Sequence, residues 1–159
     1  MIKKIIIIDN SNLSYSGKDI NGEILRGTET SLIILAEHFV NKGYYVDFCN
    51  NINQNINYNN ENFFNKNNIN KNILYDLAIA VSDCNQFDFV SAKKKAIFSV
   101  SNQPFEKFLR KKQLFSFLKH KPFVVTLCNY QYNKRSFLTS FFGKKMIPIA
   151  VDPKFLNLE

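Results

Sequence analysis

The segment of this chain best equipped to meet an anion is Arg26-Gly27-Thr28-Glu29-Thr30. A glycine lets a ligand approach the backbone, and the free amides of a first helical turn, aided by the helix dipole, attract a group such as a diphosphate. The segment is not a P-loop, since no Gly-Lys-Ser/Thr follows, and it is not a G-x-G-x-x-G dinucleotide fingerprint. A glycine at a helix start also serves as plain punctuation. Among the carboxylates, Asp9, Asp76, Asp83 and Asp88 stand where an acid cluster is one use and the capping of loops and helices the commoner one. His38 and His120 lack a Ser or Cys at a suggestive spacing, which argues against a hydrolase triad. Cys49, Cys84 and Cys128 are odd in number, widely spaced and without a nearby His. They read as small buried hydrophobes rather than a disulfide framework or a zinc site, and no metal or other cofactor is expected.

The elements that must hold these residues alternate. Lys3 to Asp9 is a β-branched run flanked by polar residues, expected as a first, central strand buried on both faces of a parallel sheet. Asn10 to Gly27 is a long polar loop of the kind that carries function. Thr28 opens the clearest helical pattern, with Leu32, Leu35, Ala36, Phe39 and Val40 at three- and four-residue spacings and Gly43 where a C-terminal cap belongs. Tyr44 to Phe48 is a second strand. Asn50 to Asn72, with thirteen Asn in 23 positions, is expected to be a polar connection carrying one short helix over Glu61 to Lys66. Strands follow at Tyr75–Val81, Lys95–Val100 and Phe123–Leu127. Helices are expected at Phe105–Lys119, whose apolar positions spread around the wheel, and at Tyr130–Phe142. A last strand, Met146–Val151, is interrupted at Pro148. Strands and helices alternating in this way imply an α/β fold, a Rossmann-like three-layer α/β/α domain with a mainly parallel sheet, whose ligands bind at the carboxyl ends of the strands.

A chain of 159 residues, 45% apolar and with 16 Phe, is long enough for one packed domain. No run reaches the roughly 18 apolar residues of a membrane span, and no cleavage site of a signal peptide is visible near the N-terminus. The expected location is cytoplasmic, with a peripheral position on the inner membrane face kept open. The net charge of +8 normally raises nucleic acid, phosphate-rich ligands or an anionic membrane. Here it accompanies an excess of Asn, Ile and Phe, so coding bias accounts for part of it. Nucleic acid is not expected, because no recognised motif accompanies the charge. Phe105 to Lys121, where basic and large apolar residues interleave, suits an anionic membrane surface, or else is a half-buried helix with a solvated Lys face.

The pattern from Gly27-Thr28-Glu29-Thr30-Ser31 through Leu35-Ala36 to Lys42-Gly43-Tyr44-Tyr45-Val46 resembles the Gly-Gly-x-Glu to Gly-His-x-Val opening of retaining glycosyltransferases of the GT-B fold, group 1 or family 4. Met146-Ile147-Pro148-Ile149-Ala150-Val151-Asp152-Pro153-Lys154-Phe155 is similar to the segment that ends the N-terminal domain in that family. The resemblance covers Met1 to Phe155 and implies the N-terminal, acceptor-side half of a GT-B enzyme, with 156–159 the start of a linker or a cloning scar. It implies a hexosyltransferase-type transfer, in polysaccharide biosynthesis, from a nucleotide-diphosphate sugar to a glycan, lipid or other acceptor. The C-terminal donor domain is missing, so this half is expected to be inactive alone. The residues it points to are Arg26, Gly27, Thr28 and Asn102 for the donor, and Asn10, Ser11 and Asn129 for the acceptor. No catalytic residue is assigned. The chain departs from the family pattern at Arg26 and Ala150, where glycines stand, at Tyr44 for a His, and at Ser101-Asn102-Gln103, where many members have a donor-binding His. The competing reading is a solitary, non-catalytic α/β binding module, associated with a membrane surface through Phe105 to Lys121.

Overall fold

A computed structural model describes residues 3–21, 25–100 and 105–148. The chain forms one eight-stranded sheet with helices between strands. In chain order the elements are β1 (Lys4–Ile8), α1 (Gly27–Asn41), β2 (Tyr45–Asn50), β3 (Ile56–Tyr58), β4 (Glu61–Asn65), β5 (Leu74–Val81) and β6 (Ser91–Ser99). They continue with α2 (Phe105–Arg110), α3 (Leu114–His120), β7 (Phe123–Thr126), α4 (Asn129–Lys134) and β8 (Lys144–Met146). The sheet order is β3-β4-β2-β1-β5-β6-β7-β8. Every pairing is parallel except that of β3 with β4. The first strand is therefore central, as its composition requires. Ile5 and Ile7 enter one core with Leu32, Ile33 and Ala36 of α1, while Ile6 and Ile8 enter a second with Phe87, Phe108 and Phe117. Alternation along a strand sends successive side chains to opposite faces, so four consecutive isoleucines supply both cores at once.

Helix α1 matches its sequence pattern, and Gly43, at φ +81°, takes the left-handed position after the Lys42 cap. Its start differs in one respect. Arg26 occupies the N-cap, and no side chain there receives a first-turn amide. The Thr30 and Ser31 hydroxyls instead donate to the Arg26 and Gly27 carbonyls, at 3.2 and 2.6 Å.

Three expectations need correction. Glu61 to Lys66 is not a helix. Asn59 and Asn60, at φ 48° and 65°, form a two-residue turn that pairs Tyr58 with Glu61 in a β3–β4 hairpin, and positive φ at both central residues is the geometry that favours Asn in such turns. Phe63 then joins one core and Phe64 the other, the period of a strand and not of a helix. The second correction falls on Phe105–Lys119, which breaks at Lys112, φ 54°, into α2 and α3. A continuous helix advances about 100° per residue and would set Phe108 and Phe117 about 180° apart. The break turns both inward, with ring centroids 5.3 Å apart. The third is Tyr130–Phe142, which is helical only through Lys134 before Arg135 turns into the interior and a short 3-10 turn, Phe137–Ser140, follows. The last strand is Lys144–Met146, before Pro148, and Ile149–Phe155 lie outside the described residues.

Candidate functional site

In a parallel sheet, side chains that do chemistry gather at the carboxyl ends of the strands, above all where the chain winds away from the middle in both directions. Here that place lies between β1 and β5, and β1 ends there in Asp9, Asn10 and Ser11. Asp9 is buried and accepts from the Ser11 amide at 3.0 Å, the Ser11 hydroxyl at 2.7 Å and the Tyr15 hydroxyl at 2.7 Å. Burial, with the charge of Asp9 beside it, raises the Tyr15 hydroxyl far above the ordinary phenol range. Tyr15 is therefore a fixed donor, and it orders the long polar loop over β1. Asn50, at the end of β2, donates to the Tyr15 carbonyl at 2.7 Å and closes the same loop from the other side.

The loop returns to α1 at Arg26 and Gly27. A Cβ built on Gly27 would meet nothing within 4 Å, so this corner is open. Glu29, in the first turn, is buried. Its Oε1 lies 3.9 Å from Arg26 Nε, and its Oε2 has no hydrogen-bond partner among the described residues. Arg26 is mostly exposed. The corner thus holds first-turn amides that the N-cap side chain leaves free, one exposed guanidinium and one buried carboxylate.

On the other face, Asn10 lines a cavity of about 400 Å³ with Lys66, Asn67, Ile69, Lys71, Gln86 and Phe89. Lys66 donates to Asn10 Oδ1 at 3.0 Å. Lys71 stands 5.6 Å from the centre of the half-exposed Phe89 ring. Two cations, three amides and an apolar wall suit a polar, anionic ligand with one flat or apolar part.

The expected site residues separate accordingly. Arg26, Gly27 and Thr28 share the start of α1, and Asn10 lies in the cavity. Ser11 is committed to Asp9 through both its amide and its hydroxyl. Asn129 opens α4 beyond β7, three strands from β1, or about 14 Å along the sheet edge at the usual strand spacing. Asn102 lies outside the described residues. The four Asp residues do not cluster: Asp76 accepts from Lys93 and the Lys4 amide, Asp83 from the Asn85 amide, and Asp88 from Ser116, Lys119 and His120. Among the described residues no group of three or more acids, His or Cys is placed to hold a metal.

His120 donates through Nε2 to Asp88 at 2.9 Å and accepts at Nδ1 from Lys95 at 3.0 Å, an arrangement that requires the neutral ring. Burial depresses both His120 and Lys95. The Asp88 carboxyl, despite a desolvation that raises it, is held well below the usual range by the three donors around it. This network ties α3 to β6 through Asp88, the residue before Phe89 of the cavity wall. Cys49 and Cys84 are buried as expected, with thiols pushed up to about 12 by desolvation, but Cys128 is exposed. It precedes α4, at the mouth of the sheet and not within it.

The Asn-rich tract held the largest surprise for function. It supplies Lys66, Asn67, Ile69 and Lys71 to the cavity, and Asn65, which fastens the Ile52 carbonyl at 2.8 Å. The Asn-Asn pair before Glu61-Asn62-Phe63-Phe64 was the available signal, because a hairpin turn followed by alternating residues places Lys66 at a strand's carboxyl end.

The molecule is an α/β protein built on one mostly parallel sheet. Comparisons with protein-family models, curated proteins and solved structures return no match for the chain. No helix among the described residues is long and apolar enough to cross a membrane.

Proposed function

We propose that this chain is the acceptor-side half of a retaining glycosyltransferase that uses a nucleotide-diphosphate sugar, a Rossmann-like three-layer domain equivalent to the N-terminal half of a GT-B enzyme. The observation that carries the reading is the strand order. The sheet winds outward from β1 on both sides, and the open start of α1 and the Asn10–Lys66 end of the cavity lie at the carboxyl edge beside that switch, the cavity running from there over the sheet face to Lys71 and Phe89. Cores on both faces of the sheet support the three-layer reading.

In this reading the Gly27 and Thr28 amides and the Arg26 guanidinium meet the diphosphate as negative charge develops on it during departure, which is where preorganised donors act most strongly. Lys66 and Asn10 hold acceptor hydroxyls or phosphates in the cavity. Ser11 contributes by fixing Asp9. Asn129, further along the edge, contacts the distal part of an extended glycan or lipid acceptor, and Asn102 contacts the donor sugar. The donor domain must come from another segment of polypeptide, so this half binds without catalysing.

Ligand-observed NMR with uridine and guanosine diphosphates and their sugar conjugates tests this directly. Weak binding is expected, reduced about fivefold or more by Arg26→Ala through loss of a charge-assisted contact. No binding of any of these nucleotides, or binding indifferent to Arg26→Ala, would sink the proposal in favour of a solitary module with another ligand.

A further inference from the structure

The positive charge is not spread over the chain. Residues 105–148 hold ten Lys and Arg against a single acid, Glu106, while all the other residues hold eleven against twelve. Coding bias toward Lys does not produce such a division. The same segment carries the largest share of exposed apolar side chains. On α3, Leu114, Phe115 and Leu118 are 36%, 75% and 54% exposed, although Gln113, Ser116 and Phe117 on its other side are buried.

A second group of exposed apolar residues joins the first. Phe117 packs on Phe142 at 5.1 Å between centroids, Phe142 on Phe141 at 5.4 Å, and Phe141 on Phe137 at 5.5 Å. Phe141 and Phe137 are 60% and 70% exposed. At about 100° per residue, Leu114 and Leu118 flank Phe117 on the side away from Ser116 and His120, the two residues bound to Asp88. Cations border α3 at both ends, with exposed Arg110, Lys111 and Lys112 before it and exposed Lys121 after it, while Lys119 within it is paired with Asp88.

We propose that this face docks on an anionic lipid bilayer. Phe115, Leu118, Phe137 and Phe141 enter the boundary between headgroups and acyl chains, and the flanking cations sit against lipid phosphates. Charge complementarity selects this occupant. Aliphatic and aromatic side chains raised between two sets of cations fit a surface that is apolar in depth and negative at its rim, whereas a nucleic acid offers nothing for Leu114 and Leu118 to enter. The proposal does not depend on nucleotide-sugar binding.

Flotation of the chain with vesicles of phosphatidylcholine, with and without phosphatidylglycerol, is the test. Binding is expected to the anionic vesicles only and to fall with added salt. The double variant Phe115→Ser/Leu118→Ser should lose about tenfold or more in partitioning through lost apolar burial. Lys111→Gln/Lys112→Gln should lose about tenfold or more through lost surface attraction. Both pairs are exposed, and an unchanged circular dichroism spectrum shows that the fold is kept. Equal or absent binding to both vesicles overturns the proposal, as does retention by both variants. Two other results also overturn it: lipid-free self-association abolished by Phe115→Ser/Leu118→Ser, which would make the face a contact between copies, and tighter binding to a single-stranded oligonucleotide than to anionic vesicles. Vesicle binding without nucleotide affinity would leave this inference standing and remove the glycosyltransferase reading.

Discussion

The two ends of the sheet solve the problem of polar groups in opposite ways. From β3 to β6 the chain turns charged and amide groups inward and pairs most of them there, Asp9 with Tyr15 and Ser11, Asn50 with the Tyr15 carbonyl, Asn62 with Asp47, the Glu29 and Glu61 carboxyls being the exceptions. From α2 to β8 it leaves cations and large apolar side chains in the open, and among the described residues its buried charge is the Arg135 guanidinium. Arg135 gives Nε and Nη2 to the Thr139 carbonyl at 3.2 and 3.0 Å and Nη1 to the Ser99 hydroxyl at 2.7 Å. Desolvation lowers it to about 10, still charged at neutral pH. The contrast teaches that one end is organised around an interior and a cleft, and the other around a surface.

Substitutions can break or sharpen that contrast. The largest effect should come from Phe48→Ala, which removes a fully buried ring stacked on Phe63 at 5.0 Å; urea unfolding should report a loss of about 4 kcal/mol. Arg135→Ala should cost about 3 kcal/mol by the same measurement, because it unties the 137–140 turn from β6 and leaves buried acceptors unmet. A smaller loss would mean that the second end does not depend on its buried cation.

Glu61 gives the first end a pH signature. Its carboxyl is fully buried with neither oxygen partnered among the described residues, and burial, then Glu37, pushes it up to about 8. The folded state keeps a proton that the unfolded state releases near its ordinary value, so stability is greatest below that value and falls as pH rises toward 8, then levels. The fall should be on the order of 2 kcal/mol, less than full linkage because water and neighbouring side chains relax around the charge. Glu61→Gln should flatten it in unfolding curves taken from pH 5 to 9. The smallest effect belongs to Phe115→Ser, which should change stability by no more than about 0.5 kcal/mol despite the size of the residue lost. A large loss there would show that the ring is structural and the contrast between the two ends false.

Most of the sheet was legible because β1, α1 and β5 carry periodicities that their own residues set. Ile5 to Ile8 demand burial on both faces, and Leu32 with Ala36 define a single stripe. The β3–β4 hairpin was hidden by Asn, a residue whose composition suggests a loop while its tolerance of positive φ builds a tight turn. The break at Lys112 arises because Phe108 and Phe117 must both reach one core, information that no window around Lys112 contains. Of the candidate site, the corner at Arg26 and Gly27 was legible from helix-start chemistry, and Asn10 from its place after β1. Lys66, Lys71, Gln86 and Phe89 were not, because their proximity to Asn10 is created by β4 pairing beside β2 and β5 beside β1.

The central position of β1 also sets the order in which the protein can be made. Ile5 and its parallel neighbour Leu77 are 72 residues apart. At the usual pace of synthesis of about 5–20 residues per second, the first strand waits roughly 4–14 s for that neighbour to be polymerised. During that interval four isoleucines have at least one side of their backbone unpaired, so yield in a cell should respond to translation speed and to chaperones that hold extended apolar segments.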